Sequence, residues 1–456
     1  MKIHPNDSLL EEFAGTLLGG HGSIVRHLSE CAGCRARLQR MLGQRPGSLK
    51  AKLSKVVVRW PGGRTCVYGA AFHQAEKVFQ HRRAAFEQER TVAPMLLAEL
   101  LRQPPERREM LLRNGRRFQS WGVLELLIDR SREKGFEDPA QGEALARLAL
   151  TLTERLDADY YGAERIQDLR ARVWGQIGNL RRMASDFRGA EEAFKTAFAL
   201  LRQGTADLLE KAILLDVRAS LLREQRRFDE AARLLRRAQR IFLQYGERHR
   251  AGKALVKMST VHEHAGRPDK AIRVLYEALK LIEDERDPRL LLAAQHNLIT
   301  NLAETGRFME AQGLLIQARP LYARFQDGWT QNRRRWVEGR IARGLGQLPE
   351  AESLLRAARD GFVGEGVTYD VALVSLDLAL IYAEQGRTAE LKRIAEETMP
   401  LFSSRPIHRE ALAALVLWAQ AVRAEMASRE LILEVASFLR RARHDPDLRF
   451  AVNREA

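Results

Sequence analysis

The 456-residue chain has only three cysteines, Cys31, Cys34 and Cys66. A secreted scaffold held by disulfides needs more of them in a shorter chain, so that class is excluded. The opening residues, Met1 to Phe13, lack the apolar centre of a signal peptide. Long apolar runs are missing too. The longest, Ala411 to Val422, falls short of the roughly 20 residues that cross a bilayer. These absences point to a cytoplasmic protein with no membrane span. β-branched residues are sparse outside short stretches, which leaves helix as the favoured element.

What the chain does have is leucine and arginine. Hydrophobic residues make up 45% of it, enough for a continuous core, and its formal net charge is +16. So basic a balance suits an acidic partner: a protein, an anionic surface or a nucleic acid. The charge is unevenly spread. From Cys31 to Ala75 there are nine Lys or Arg residues and no Asp or Glu. Further along, both signs mix as on a solvated helical surface.

A phrase recurs along the chain: a turn, an alanine, then an apolar helix face. The anchors are Ala190, Ala231, Ala271, Ala311 and Ala351, with a decayed copy at Leu391. Their spacings are 41, 40, 40, 40 and 40, which chance does not produce. Seven positions after each anchor come Ala197, Ala238, Ala278, Ala318, Ala358 and Thr398. Between them lie Phe194, Leu235, Leu275, Leu315, Leu355 and Ala395. These offsets place all three on one helix face. Twelve positions before the anchors are Gly178, Ala219, Ser259, Ile299, Gly339 and Ala379, which mark a preceding helix. Gly266, Gly306, Gly346 and Gly386 stand between the two helices, where a left-handed residue ends the first. Pro268 suits the start of the second. The unit is helix, tight turn, helix.

This pattern resembles the tetratricopeptide repeat family over residues 160–400. Trp174 matches the family's aromatic near the start of the first helix, whereas Leu215, Leu255, Gln295, Arg335 and Ser375 depart from it. The family's usual unit is shorter than forty residues, so helices or connections are longer here. The resemblance implies an all-α, right-handed superhelical solenoid whose first helices line a concave peptide groove. Carried over, the groove positions are Asn179 and Arg182, then Ser220 and Arg223, then Arg333, Trp336, Arg340 and Arg343. Such a cationic ladder with one aromatic suits an acidic segment. A solvated, arginine-rich face is the equally weighted alternative.

Near the N-terminus, His27, Cys31 and Cys34 read H-x3-C-x2-C, which on a helix puts three ligands on one face. His4 precedes an amphipathic stretch that could fold back and make a fourth, with His21 the substitute. Two imidazoles and two thiolates would close a structural zinc site, with no position left for a catalytic water. A module of that size needs the metal for stability. The alternatives are an idle cysteine pair, or a redox C-x-x-C that lacks the surrounding βαβ pattern. The segment resembles the zinc-binding anti-sigma-factor module of bacteria at His4, His27, Cys31 and Cys34, followed by Arg35 and Leu38. That likeness implies a sigma factor or similar regulator as partner.

Other motifs fail. Gly246 to Lys253 is one residue too long for a phosphate loop and lacks the following Ser or Thr. His262-Glu263-His264 cannot put both imidazoles on one helix face. No nucleophile–base set is recognisable, so the chain is read as a non-enzyme. Lys55 to Trp60, Pro61-Gly62-Gly63 and Thr65 to Tyr68 allow a small hairpin, with Lys50, Lys52, Lys55, Arg59 and Arg64 able to meet phosphates. A solvated connector is favoured there, and Cys66 reads as a lone structural thiol.

The organisation expected is a zinc module over 1–43, a basic linker over 44–93 and degenerate helical hairpins over 94–158. Repeats follow over 159–402, then capping helices and a tail over 403–456. The function expected is a protein-interaction scaffold regulating transcription or signalling. Its zinc module would dock a sigma factor or similar regulator, and its groove an acidic protein or peptide. A nucleic-acid-associated protein using the basic 35–64 segment, or a purely structural scaffold, is the alternative.

Overall fold

A computed structural model describes Gly33, residues 57–59, 65–67, 69–403, 409–442 and 448–450. His4, His21, His27, Cys31 and Cys34 lie outside the described residues, and so does the zinc site read from them. The chain divides into two compact units, Met1–Gly162 and Ala163–Ala456.

In the first unit, β1 (Val57–Arg59) pairs antiparallel with β2 (Thr65–Val67), placing Val58 opposite Cys66. The two strands on either side of Pro61-Gly62-Gly63 thus pair, where a solvated connector was favoured. Helix α1 (Gly69–Leu101) then runs without a break across the 93/94 boundary read from composition. The alternation of charge along residues 76–91 masks its helical period. Its last turns bury Ala93, Leu97 and Leu100. Next come α2 (Pro105–Asn114), a short 3-10 turn, α3 (Trp121–Glu137), α4 (Pro139–Thr153) and the single turn α5 (Ala158–Tyr161). Asp138 caps α4, accepting from the backbone N–H groups of Ala140 and Gln141, with Pro139 in the first turn.

Glu89 of α1 ties this unit together. The Tyr161 hydroxyl donates to its Oε1 at 2.9 Å, and the Trp121 backbone N–H donates to that hydroxyl at 3.3 Å. Phe86 meets the Trp121 ring edge-on, 5.5 Å between centroids. Gly122 makes the close crossing possible, since a Cβ there would stand 2.7 Å from the Glu89 carbonyl oxygen.

The second unit is a stack of helical hairpins. They are α6 (Ala163–Met183) with α7 (Phe187–Gln203), α8 (Leu208–Glu224) with α9 (Phe228–Gln244), and α10 (Arg248–His264) with α11 (Pro268–Leu279). Then come α12 (Pro288–Glu304) with α13 (Phe308–Ala323), α14 (Gly328–Gly344) with α15 (Leu348–Glu365), and α16 (Thr368–Glu384) with α17 (Thr388–Ser403). A closing pair, α18 (Arg409–Arg423) and α19 (Arg429–Ala442), follows.

Every turn between paired helices uses one left-handed residue. It is Gly266, Gly306, Gly346 and Gly386 in the later repeats, but Ser185 and Arg226 in the first two and Glu425 in the closing pair. The following N–H reaches back to the first helix each time, as Arg267 does to His262 at 2.9 Å and Arg227 to Leu222 at 2.8 Å. The anchor residues, their partners seven positions on and the apolar residue between are all buried. The small residue of the first helix is there for contact: a Cβ on Gly339 would stand 2.7 Å from Leu355 Cγ.

Successive first helices (α6, α8, α10, α12, α14, α16) approach one another, whereas successive second helices make no comparable contact. A curved stack crowds its elements on the inside, so the first helices form the inner face and the second helices the outer one. The end of the stack differs. Every residue of α16 from Asp370 to Tyr382 is buried, because α15 and α17 pack on it and α19 covers it as well.

Candidate groove on the first helices

The inner face carries charge at a fixed place in the repeat. Arg182, Arg223, Glu263 and Arg343 occupy equivalent positions on α6, α8, α10 and α14, close to each helix C-terminus. Cations there face the negative end of the helix dipole. Asn179 Oδ1 accepts from Arg182 Nε at 3.2 Å, and Arg182 and Arg223 converge on Glu224 at 3.2 and 2.7 Å. Burial lowers the Arg182 pKa, partly offset by Glu224, and Arg223 lowers it further. Lys257 of α10 bridges to Asp216 of α8 at 2.5 Å.

Midway along the stack, Asn301 of α12 donates to Glu263 Oε1 at 2.7 Å. Burial pushes the Glu263 carboxyl up to about 7, and Glu304 adds to the rise, against the Asn301 hydrogen bond and the charge of Arg333. Arg333 sits over the Trp329 ring, 5.8 Å from its centroid. On the next helix Asp377, 1% exposed at its side chain, is the hub. The Trp336 indole N–H donates to it at 2.8 Å. Arg340 of α14 and Arg440 of α19 lie 3.9 and 3.8 Å from its carboxylate, and both also approach Glu304, at 3.9 and 3.7 Å. Burial lowers the Arg440 pKa, and Arg340 and Arg343 push it the same way, against Asp377 and Glu304.

The positions read from sequence therefore meet on one face, but not as a free cationic ladder. Trp336 points its N–H at a carboxylate, and Arg340 is a buried member of an alternating charge cluster with 12% of its side chain exposed. Arg343 Nη1 and Arg223 Nε are buried with no hydrogen-bond partner among the described residues. Sequence reasoning missed Glu263, Asn301, Glu304, Asp377 and Arg440. Among the described residues no cluster of His, Cys, Asp or Glu is arranged to hold a metal ion. No described helix is long and apolar enough to cross a membrane.

The hairpin geometry and the inner groove define a tetratricopeptide-like repeat solenoid. Residues 210–284, spanning α8 to α11, match the tetratricopeptide repeat family. The apo form of RapI is similar in structure, with a TM-score of 0.53 at 12% identity, over 70% of this chain and 86% of that one. A Rap protein complexed with Competence and Sporulation Factor is similar too, with a TM-score of 0.50 at 14% identity, over 71% of this chain and 87% of that one. No curated protein matches the chain in sequence.

Proposed function

We propose that the chain is a protein-interaction scaffold in a regulatory system, and that its inner groove receives an acidic segment of a protein or peptide. The charge balance of the groove carries this reading. Arg182, Arg223, Arg333, Arg340, Arg343 and Arg440 outnumber Glu224, Glu263, Glu304 and Asp377, and Glu263 is only partly ionised near neutrality. Arg223 and Arg343 are half-buried and keep part of each side chain exposed. An incoming carboxylate would meet their exposed guanidinium edges with charge-assisted hydrogen bonds. A Rap protein of similar fold is complexed with Competence and Sporulation Factor, which supports partner binding by this kind of fold.

The test uses Arg223→Gln with Arg343→Gln. Crosslinking and mass spectrometry from the native host should recover an acidic partner with wild type and lose it with the variant, at unchanged melting temperature. Retention of the same partner would refute the reading. Charge reversal at Arg333 and Arg340 is a poorer probe, because Arg340 is wedged between Glu304 and Asp377.

The N-terminal segment adds a second proposed contact. Its donor set, His4, His27, Cys31 and Cys34, suits a closed structural zinc site. Its likeness to anti-sigma-factor modules supports docking of a sigma factor or similar regulator. Elemental analysis should find near-stoichiometric zinc that disappears from a Cys31→Ser, Cys34→Ser variant.

A further inference from the structure

Helices α9 and α11 are successive second helices on the outer face, linked by side chains rather than by backbone packing. They are joined by ion pairs from Arg236 to Glu277 at 2.7 Å and from Arg267 to Asp229 at 2.5 Å. Glu230 is taken by Arg227 at 2.7 Å. Of the acids on the two helices, only Asp269 is outside an ion pair among the described residues. The exposed cations are left in excess. Arg233, Arg237 and Arg240 line one exposed face of α9 at helical spacing, while Lys270 and Arg273 stand exposed along α11 and Lys280 at its C-terminal cap. None of these six has an ion-pair partner among the described residues. Arg233 and Arg273 occupy the same place in successive repeats, as do Arg240 and Lys280, so the two rows run in register.

The face also lacks what other ligands require. Leu243, at the end of α9, is the one large hydrophobic exposed on these two helices. Single-stranded nucleic acid is held by aromatic stacking, a membrane surface by inserted Trp, Phe or Leu, and a protein interface by an apolar centre poor in charge. A phosphate backbone requires none of these. It asks only for cations on a fixed frame, and arginine is suited to phosphate through its forked donors. The inter-repeat ion pairs supply that frame.

We propose that the outer face of α9 and α11 binds the phosphate backbone of duplex DNA, without base readout. Its residues are not those of the inner groove, nor those of the basic 35–64 segment in which sequence alone placed nucleic-acid contacts.

Fluorescence anisotropy of the full chain with a short duplex of random sequence tests this. Wild type should bind with an affinity that falls steeply with salt. Each phosphate contact contributes about 0.9 to the log–log slope, so Arg233→Gln, Arg237→Gln, Arg240→Gln should lower the slope by about 2.7. Affinity at low salt should drop by about tenfold or more. A second variant, Arg273→Gln with Lys280→Gln, should act in the same direction by a smaller amount. Lys50→Gln, Lys52→Gln, Lys55→Gln should leave both quantities near wild type. The proposal is overturned if duplex DNA does not bind at low salt, or if both outer-face variants keep wild-type slope and affinity. It is also overturned if the loss follows the 50–55 variant instead, or if phosphatidylglycerol vesicles bind through the three arginines while DNA does not.

Discussion

Trp336 donates its indole N–H to Asp377 across the gap between α14 and α16 at 2.8 Å, and that bond decides what both residues do. The tryptophan, which sequence alone offers as a ligand platform, is turned edge-on to Phe362 and fixed there, 5.9 Å between centroids. Asp377 is thereby aimed at Arg340 and Arg440. A closing helix from the end of the chain is so connected to the inner face of the repeats.

Asp377→Asn should keep the Trp336 hydrogen bond and lose the charge. Two largely buried guanidiniums, Arg340 and Arg440, would then share Glu304 alone. Removing one partner of a buried ion cluster typically costs about 3–5 kcal/mol. Chemical denaturation should show a loss of that order, with Arg440→Met less damaging because it removes a buried charge along with its contacts. An Asp377→Asn variant as stable as wild type would mean the cluster adds nothing.

The Glu263 carboxyl gives stability a pH dependence of definite sign. Its folded pKa, about 7, lies above its ordinary value of 4.5, because burial and Glu304 disfavour the ionised form. Between those values the folded chain holds a proton that the unfolded chain has lost. The stabilisation is complete below about pH 4.5 and is lost as pH rises through 7. Thermal melts from pH 5 to 8 should therefore include a decline that Glu263→Gln flattens. An unchanged pH profile in that variant would place the carboxyl in a wetter setting.

Two helical glycines separate close packing from open space. At Gly339 an added Cβ would stand 2.7 Å from Leu355 Cγ, so Gly339→Ala should cost about 1–3 kcal/mol through overpacking. At Gly313 a Cβ meets nothing within 4 Å, so Gly313→Ala should stabilise by about 0.5–1 kcal/mol through helix propensity. Paired urea denaturation curves read the two signs directly.

The repeat was legible because close helix packing demands small residues at fixed offsets, and Ala190 to Ala358 keep that register over forty residues at a time. Turn positions were half legible. Glycine marks four, but Ser185, Arg226 and Glu425 adopt the same left-handed conformation with nothing in their chemistry to announce it. The groove arginines followed from register alone. Their partners did not, since Arg440 reaches the cluster from a helix outside the repeat pattern. One signal was present: Asp377 is the lone charge between Val371 and Tyr382, and a carboxylate in so apolar a helix needs a buried partner. The long helix α1 was illegible because mixed charges along residues 76–91 hide its period.

That helix changes where the chain can be cut. A truncation beginning at Thr91, close to the 93/94 boundary, would fall inside α1 and remove Phe86 and Glu89. Both hold the first unit together, Glu89 through the Tyr161 hydroxyl and Phe86 through Trp121. Losing them would leave Tyr161, itself buried, with a hydroxyl short of its acceptor, a defect of about 1–3 kcal/mol before any packing loss. A truncation beginning at Gly69 keeps all of α1. The Gly69 form should therefore retain the full-length melting temperature and helicity, while the Thr91 form melts lower or aggregates. Full-length Tyr161→Phe should show part of the same loss without any truncation, which separates the hydrogen bond from the missing helix. If the Gly69 form is as unstable as the Thr91 form, residues before α1 are part of the folding unit. In that case, loss of a regulatory partner on truncation could not be assigned to a docking module.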